Sequence, residues 1–139
     1  MPSQDVNEIT QKIIGCAYTV SNTLGIGFVE KIYENALAHA LRKSGLTVAQ
    51  QYPITVGVDG ILVGEFCADL LVEGRVLVEL KAVSMLTKEH VAQSLNYLRA
   101  TGLELCLLIN FGRPKVEIQR LLPSVYWKKE AAGGGFSSE

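Results

Sequence analysis

The sequence predicts an α/β chain of the α+β kind, a mixed β-sheet flanked by helices in the order α-α-β-β-β-α-β-β. Three observations predict it. Up to Gly45 the apolar residues recur at helical spacing, interrupted by Gly25 and ended by Gly45. From about Ile54 to Lys81 the period changes to two, with Asp59-Gly60 marking a tight hairpin turn. A third helical stretch is then followed by "LELCLLIN", Leu103 to Asn110, which reads as a strand buried on both faces.

The elements follow in order. Asp5 with Glu8 three residues on resembles a capping box, and Val6, Ile9, Ile13, Ala17, Val20 and Leu24 form the inward stripe of a first helix. A second helix is expected from about Val29 to Ser44, with Tyr33, Leu37, Ala40 and Leu41 facing inward. Ile54, Val56 and Val58 lead into the Asp59-Gly60 turn, and the return strand runs from Ile61 to about Val72. Val76 to Lys81 makes a third strand. Thr87 is placed to cap a helix from Lys88 to Ala100, closed by Gly102. After Leu103–Asn110, "KVEIQRLL" is one more strand.

With 139 residues, the chain suits one domain over 1–130, followed by a mobile tail over 131–139. Hydrophobic residues make up 48% and charged ones 19%, which excludes a disordered chain. A net charge of −1 argues against a strongly basic nucleic-acid coat protein but leaves room for a local basic groove. Residues 111–129 hold Arg113, Lys115, Arg120, Lys128 and Lys129 against the single acid Glu117. Such a run is more often a solvated face than a phosphate-binding patch. Cys16, Cys67 and Cys106 lie in apolar surroundings without metal-type spacing, so reduced, buried thiols and a cytoplasmic protein are expected. No apolar run reaches the length of a membrane span, and the first residues have no secretory pattern.

The informative stretch is "FCADLLVEGRVLVELK", Phe66 to Lys81. If Val72 faces Val76 across Glu73-Gly74-Arg75, then Leu70 faces Val78 and Ala68 faces Leu80, an all-apolar side. The other side sets Leu71 against Leu77, Asp69 against Glu79, and Cys67 against Lys81. Directly opposed residues have Cβ atoms roughly 4.5–5.5 Å apart. Two carboxylates at that separation repel unless a cation lies between them. Hard divalent ions bind carboxylate oxygen at about 2.0–2.1 Å in the case of magnesium, so the spacing suits a shared metal. Lys81 lies on the same face, roughly 6.6 Å beyond Glu79. An isolated Glu-x-Lys is ordinarily the wet side of an amphipathic strand. Here Leu71 and Leu77 share the face, and a half-buried charge cluster is costly without compensation.

Asp69, followed by Glu79-Leu80-Lys81 on the next strand, resembles the PD-(D/E)XK nuclease signature, with Ala68 where that signature has proline. "GFVEKIY", with Gly27, Glu30 and Tyr33, resembles the motif of the GxxExxY protein family. The likeness extends from about Thr19 to Leu122 through "LGIGFVEKIYENAL", "QSLNYLRATG" and "LLINFG". It implies a restriction-endonuclease-like fold. It further implies a magnesium or manganese ion on Asp69 and Glu79, with the Leu80 carbonyl and a helix carboxylate, Glu30 or Glu34, completing the site. Lys81 would position the attacking water or stabilise the phosphate. Gln93 and Tyr97 resemble the QxxxY element of exonuclease-like members, which supports the active site or contacts nucleic acid. His90 shares their helix face and reads equally as a satisfied helix histidine or a functional one. Tyr33 reads equally as a core aromatic with a bonded hydroxyl, and Gly27 as a backbone requirement of the loop.

The leading expectation is a magnesium-dependent nuclease cutting DNA, with RNA second. Its partners would be nucleic acid, no membrane, and a homodimeric copy or partner subunits supplying further grip. The competing expectation is a catalytically weak or inactive nuclease-fold module that binds nucleic acid or protein. Hydrolysis of a small phosphodiester or nucleotide is the third.

Overall fold

The structure is a computed structural model that describes residues 5–123. The expected tail at 131–139, and Lys128 and Lys129 of the basic run, lie outside the described residues. Three helices and five strands follow in the predicted order: α1 (Val6–Leu24), α2 (Glu30–Lys43), β1 (Val48–Val58), β2 (Ile61–Val72), β3 (Val76–Lys81), α3 (Lys88–Thr101), β4 (Leu105–Asn110) and β5 (Glu117–Leu121). No helix among the described residues is long and apolar enough to cross a membrane.

Local chemistry sets the boundaries. Asp5 caps α1, its Oδ1 accepting the Asn7 N–H at 3.2 Å, so the cap bond falls two residues on and not on Glu8. The full reciprocal capping box is found on α3 instead. There His90 N donates to Thr87 Oγ1 at 3.3 Å, and Thr87 N donates to His90 Nδ1 at 3.0 Å. Gly102 closes α3 in the left-handed conformation, φ 71°. Asp59 and Gly60 both have positive φ, 51° and 75°, which matches the twist of a two-residue hairpin.

The sheet order is β1-β2-β3-β4-β5, with β3 and β4 parallel and every other pair antiparallel. Helix α3 makes the crossover between the parallel strands, which are buried almost throughout because both faces are covered. β1 is an edge strand, so Pro53 costs it no ladder bond on its outer side. Helices α1 and α2 pack Ile13, Ala17, Tyr33, Leu37 and Leu41 over one face, against Leu70, Val78, Leu80 and Leu107. α3 covers the other face, packing Leu98 and Ala100 against Ile54, Ala68, Leu71, Leu77 and Cys106. Of the three cysteines only Cys106 is buried: Cys16 is half-buried and Cys67 exposed, so the expectation of three buried thiols is corrected. β2 carries Cys67 beyond the cover of β3, which is why an apolar sequence context did not bury it.

Strict alternation fails at one level of the sheet. Leu70 and Val72 face α1 and α2, whereas Ala68 and Phe66 face α3. β1 does the same: Val48 lies on the first side, and Tyr52 and Ile54 on the second. The ladder between them passes from Gln50↔Leu70 to Tyr52↔Ala68, leaving Gln51 and Asp69 unpaired. Gln51 has φ 52°, a left-handed conformation uncommon for a residue with a side chain. Both strands therefore change face at Gln51 and Asp69.

A second local feature fixes the exit from β3. The fully buried Asn110 accepts the Val83 N–H on Oδ1 at 3.0 Å and donates from Nδ2 to Val83 O at 2.9 Å. Asn110 also donates to Glu117 Oε1 at 2.8 Å and accepts from Gly112 N at 2.9 Å. The turn after β4 is thereby joined to the segment after Lys81.

Candidate active site

The β2–β3 ladder begins as apolar matching predicts, with Val72↔Val76, Leu71↔Leu77 and Leu70↔Val78. It ends there. The expected continuation (Asp69 opposite Glu79, Ala68 opposite Leu80, Cys67 opposite Lys81) is not formed, because β2 changes face at Asp69. Side chains take over the hydrogen bonding instead. Asp69 N donates to Glu79 Oε1 at 3.1 Å, and Leu80 N donates to Asp69 Oδ2 at 2.8 Å. Each carboxylate thus bonds the main chain of the other strand. Asp69 and Glu79 are brought together, as expected, by a geometry the alternating pattern did not contain.

Crowding governs their charge. Burial pushes the Glu79 carboxyl up to about 8, and the charge of Asp69 adds to the rise. The Asp69 N–H and the Lys81 ammonium oppose it without cancelling it. Without a cation, Glu79 therefore holds a proton at neutral pH. Two hard-oxygen donors that resist simultaneous ionisation fit a divalent metal, whose charge would replace that proton.

Beside the pair, the half-buried Lys81 reaches Gln93 Oε1 from Nζ at 3.5 Å. Gln93 also hydrogen-bonds Tyr97. The Tyr97 hydroxyl is pushed up to about 12 by burial first, then by the charges of Glu79 and Asp69, so it stays protonated. Its ring stacks on Phe66 at 4.0 Å between centroids. Beneath Glu79 the Cys106 thiol is raised, chiefly by burial, and is inert as a nucleophile. Asp69, Glu79, Lys81, Gln93 and Tyr97 thus lie in one neighbourhood on the α3 side.

Other predicted residues lie elsewhere or serve differently. Glu34 is buried and saturated: Lys31 Nζ lies 3.1 Å from Oε2, Gln50 Nε2 donates to Oε2 at 2.7 Å, and Gln51 Nε2 donates to Oε1 at 2.7 Å. Glu30 is exposed at the first turn of α2, where it lines a shallow depression with Phe28, Val29, Lys31 and Ala82. Among the described residues no three His, Cys, Asp or Glu side chains gather where a metal could be held. Neither Glu30 nor Glu34 therefore joins Asp69 and Glu79 as the helix carboxylate that the resemblance implied.

Tyr33 is a core residue. Its hydroxyl donates to Gly25 O at 2.6 Å and accepts from Phe28 N at 3.3 Å, and its ring stacks on Phe111 at 4.8 Å. It ties down the loop in which Gly27 adopts φ 109°, so both are structural. Tyr33→Phe is expected to lower stability by about 1–2 kcal/mol, read from the denaturant midpoint, because the Gly25 carbonyl and Phe28 amide lose their partner. His90 has one ring nitrogen committed to the α3 cap. In the basic run, Arg120 Nη2 donates to Asn7 Oδ1 at 2.7 Å, and Arg113 and Lys115 are exposed.

Two residues escaped sequence reasoning. Gln51 Nε2 links Glu34 Oε1 to Asp69 Oδ1, the latter at 3.4 Å, and nothing in "AQQYP" announces a left-handed residue. Asn110 was legible in part, as a lone polar residue ending an apolar strand before a glycine-containing turn.

Residues 7–121 match the family model of the PD-(D/E)XK nuclease superfamily. In fold, the chain is similar to the crystal structure of an alkaline exonuclease from Laribacter hongkongensis, with 16% sequence identity and a TM-score of 0.53 over 75% of this chain and 61% of that one. The same exonuclease in complex with dAMP gives 15% identity and a TM-score of 0.51 over 75% and 60%. The chain thus spans about three-fifths of that exonuclease. No curated protein matches it. A mixed five-stranded sheet with flanking helices is the fold shared with the exonuclease, and the family match covers nearly every described residue. This chain belongs to the PD-(D/E)XK nuclease superfamily.

Proposed function

We propose that this protein, of the GxxExxY type within its superfamily, is a magnesium- or manganese-dependent nuclease. It would hydrolyse phosphodiester bonds of DNA, with RNA the lesser substrate, in the cytoplasm. The observation that carries the reading is the crowded pair: Glu79, held near 8 by burial and by Asp69, lies beside Lys81. A buried carboxyl held protonated beside a second acid is a weak way to stabilise a sheet and a reasonable way to bind a metal. Asp69 and Glu79 would hold the ion, with the Leu80 carbonyl next to them. The chemistry supplied by a bound divalent ion would be acidification of a water and neutralisation of charge on the phosphate. Lys81, steadied by Gln93, stabilises negative charge on the phosphate oxygens. Gln93 and Tyr97 keep that lysine aimed along the α3 face. The dAMP complex of the exonuclease supports a deoxynucleotide polymer by analogy of fold. A second copy or a partner subunit would extend the grip on nucleic acid.

One observation favours a second reading, a nuclease-fold binding module with little turnover. Glu34, the buried helix carboxylate, is occupied by Lys31, Gln50 and Gln51, so a third acidic ligand is not at hand. Incubation of single- and double-stranded DNA and RNA with magnesium, manganese or chelator separates the two. Metal-dependent cleavage, lost in Asp69→Asn, Glu79→Gln and Lys81→Ala, is the expected result. Nucleic-acid binding without cleavage in either metal would establish the module instead.

A further inference from the structure

Gln51 belongs to no motif, yet it is the residue at which two irregularities meet. Its φ of 52° is a left-handed conformation that is unfavourable for a residue with a Cβ. Such an outlier persists only when its surroundings demand it. At the same level Asp69 drops out of the β1–β2 ladder, and both strands change face.

The side chain explains what the distortion achieves. One amide nitrogen has two hydrogens, and here they serve two acids on different elements: Glu34 Oε1 at 2.7 Å and Asp69 Oδ1 at 3.4 Å. Glu34 is fixed on its other side by Lys31 and Gln50, so it is an immobile anchor on α2. The shorter bond locks the Gln51 amide to that anchor, and the longer one reaches the carboxylate that also accepts Leu80 N–H. A carboxylate bonded at both oxygens from two directions has its plane set. With Gln51 absent, Oδ1 would lose this bond, and Asp69 would keep only partners on β3: the Leu80 N–H and the Glu79 carboxyl.

We propose that Gln51 is a positioning residue: its amide, anchored on Glu34, sets the orientation of the Asp69 carboxylate for a divalent cation. This rests on the metal-site reading of Asp69 and Glu79. It also gives Glu34 a role, that of the fixed point behind the site. The weak bond to Oδ1 suits this task, because it orients the oxygen while leaving a lone pair for a ligand.

Gln51→Gly tests the inference, since glycine accepts the left-handed backbone without strain and removes the amide together with the stem of an exposed residue. Two quantities are read: the calorimetric Kd for Mn2+, and the hydrogen-exchange rate of the Leu80 amide by NMR, with the Val78 amide as internal reference. Loss of a supporting contact behind a metal ligand typically weakens binding about 10- to 100-fold. The expected result is a Kd raised by about that factor, with Leu80 exchange accelerated relative to Val78. Gln51→Asn, a shorter amide, should fail to restore either quantity. If the unaltered protein binds Mn2+ and Gln51→Gly binds it equally well, the proposal is overturned while the metal site stands. If the unaltered protein binds no Mn2+, the metal-site reading falls and the proposal with it. Faster Leu80 exchange in that case would show Gln51 holding Asp69 for the fold alone.

Discussion

Glu79→Gln is expected to abolish metal-dependent cleavage and, at the same time, to stabilise the metal-free protein at pH 8.5. The two effects have one cause. Folding raises the Glu79 carboxyl from 4.5 to about 8, through burial and the neighbouring Asp69 charge. The folded state therefore holds a proton that the unfolded chain has lost across that window. Stability of the metal-free protein is highest below 4.5 as far as this group is concerned, falls as pH rises toward 8, and levels off above it. Each unit of such a shift corresponds to about 1.4 kcal/mol, so the loss amounts to a few kcal/mol. Glutamine cannot ionise and keeps an oxygen to accept the Asp69 N–H, so it escapes that loss. The check is thermal melting in chelator at pH 5.5 and 8.5. The unaltered protein should melt lower at 8.5 by a margin the variant lacks, and manganese should restore much of it, more at 8.5 than at 5.5. Cleavage should fall by at least about 100-fold in the variant. A variant equally sensitive to pH would show that the crowding of Asp69 and Glu79 does not control stability.

Gly112→Ala should be the most damaging small substitution in the described chain. A Cβ built there would stand 2.1 Å from Val83 O and 2.4 Å from Val83 N. Those are backbone atoms, and they cannot swing away as a side chain would. Asn110 holds both of them, Val83 O at 2.9 Å and Val83 N at 3.0 Å, and the same asparagine bonds the Gly112 amide. One added methyl must therefore displace the segment after Lys81 or the turn after β4, and either movement breaks buried bonds. A loss of about 3 kcal/mol or more is expected, measured as a lowered denaturant midpoint. Gly64→Ala is the natural control, since nothing lies within 4 Å of its added Cβ, and it should change stability little.

The sequence carried the architecture well, for physical reasons. Periods of 3.6 and 2 are consequences of burying one side of a helix or strand, so Ile9, Ile13 and Ala17 reported α1 directly, and Ile54 and Val56 reported β1. The unbroken run at Leu105–Asn110 reported a strand covered on both faces. What remained hidden were departures from period. Apolar matching gave Leu70↔Val78 correctly but could not foresee that β2 changes face one residue earlier. Asp69, Glu79 and Lys81 were legible because charge interrupts an apolar strand. Glu34 was legible as an acid on the right helix, but not its saturation by Lys31, Gln50 and Gln51, which depends on folding distant segments together. Tyr33 and His90 were open in the sequence and resolve into a loop tie and a helix cap.

The exchange of main-chain bonds between Asp69 and Glu79 has a consequence for how this centre can be altered. In many active sites the chemical groups hang from a finished scaffold and can be cut back freely. Here the acceptors for Leu80 N–H and Asp69 N–H are the acidic groups themselves, so the proposed metal ligands are also seams of the sheet. Only replacements of the same shape that keep an acceptor oxygen, such as asparagine for aspartate, edit the charge without opening the seam. Truncation to alanine would confound lost chemistry with lost strand closure, and inactivity in such a protein would say little about either.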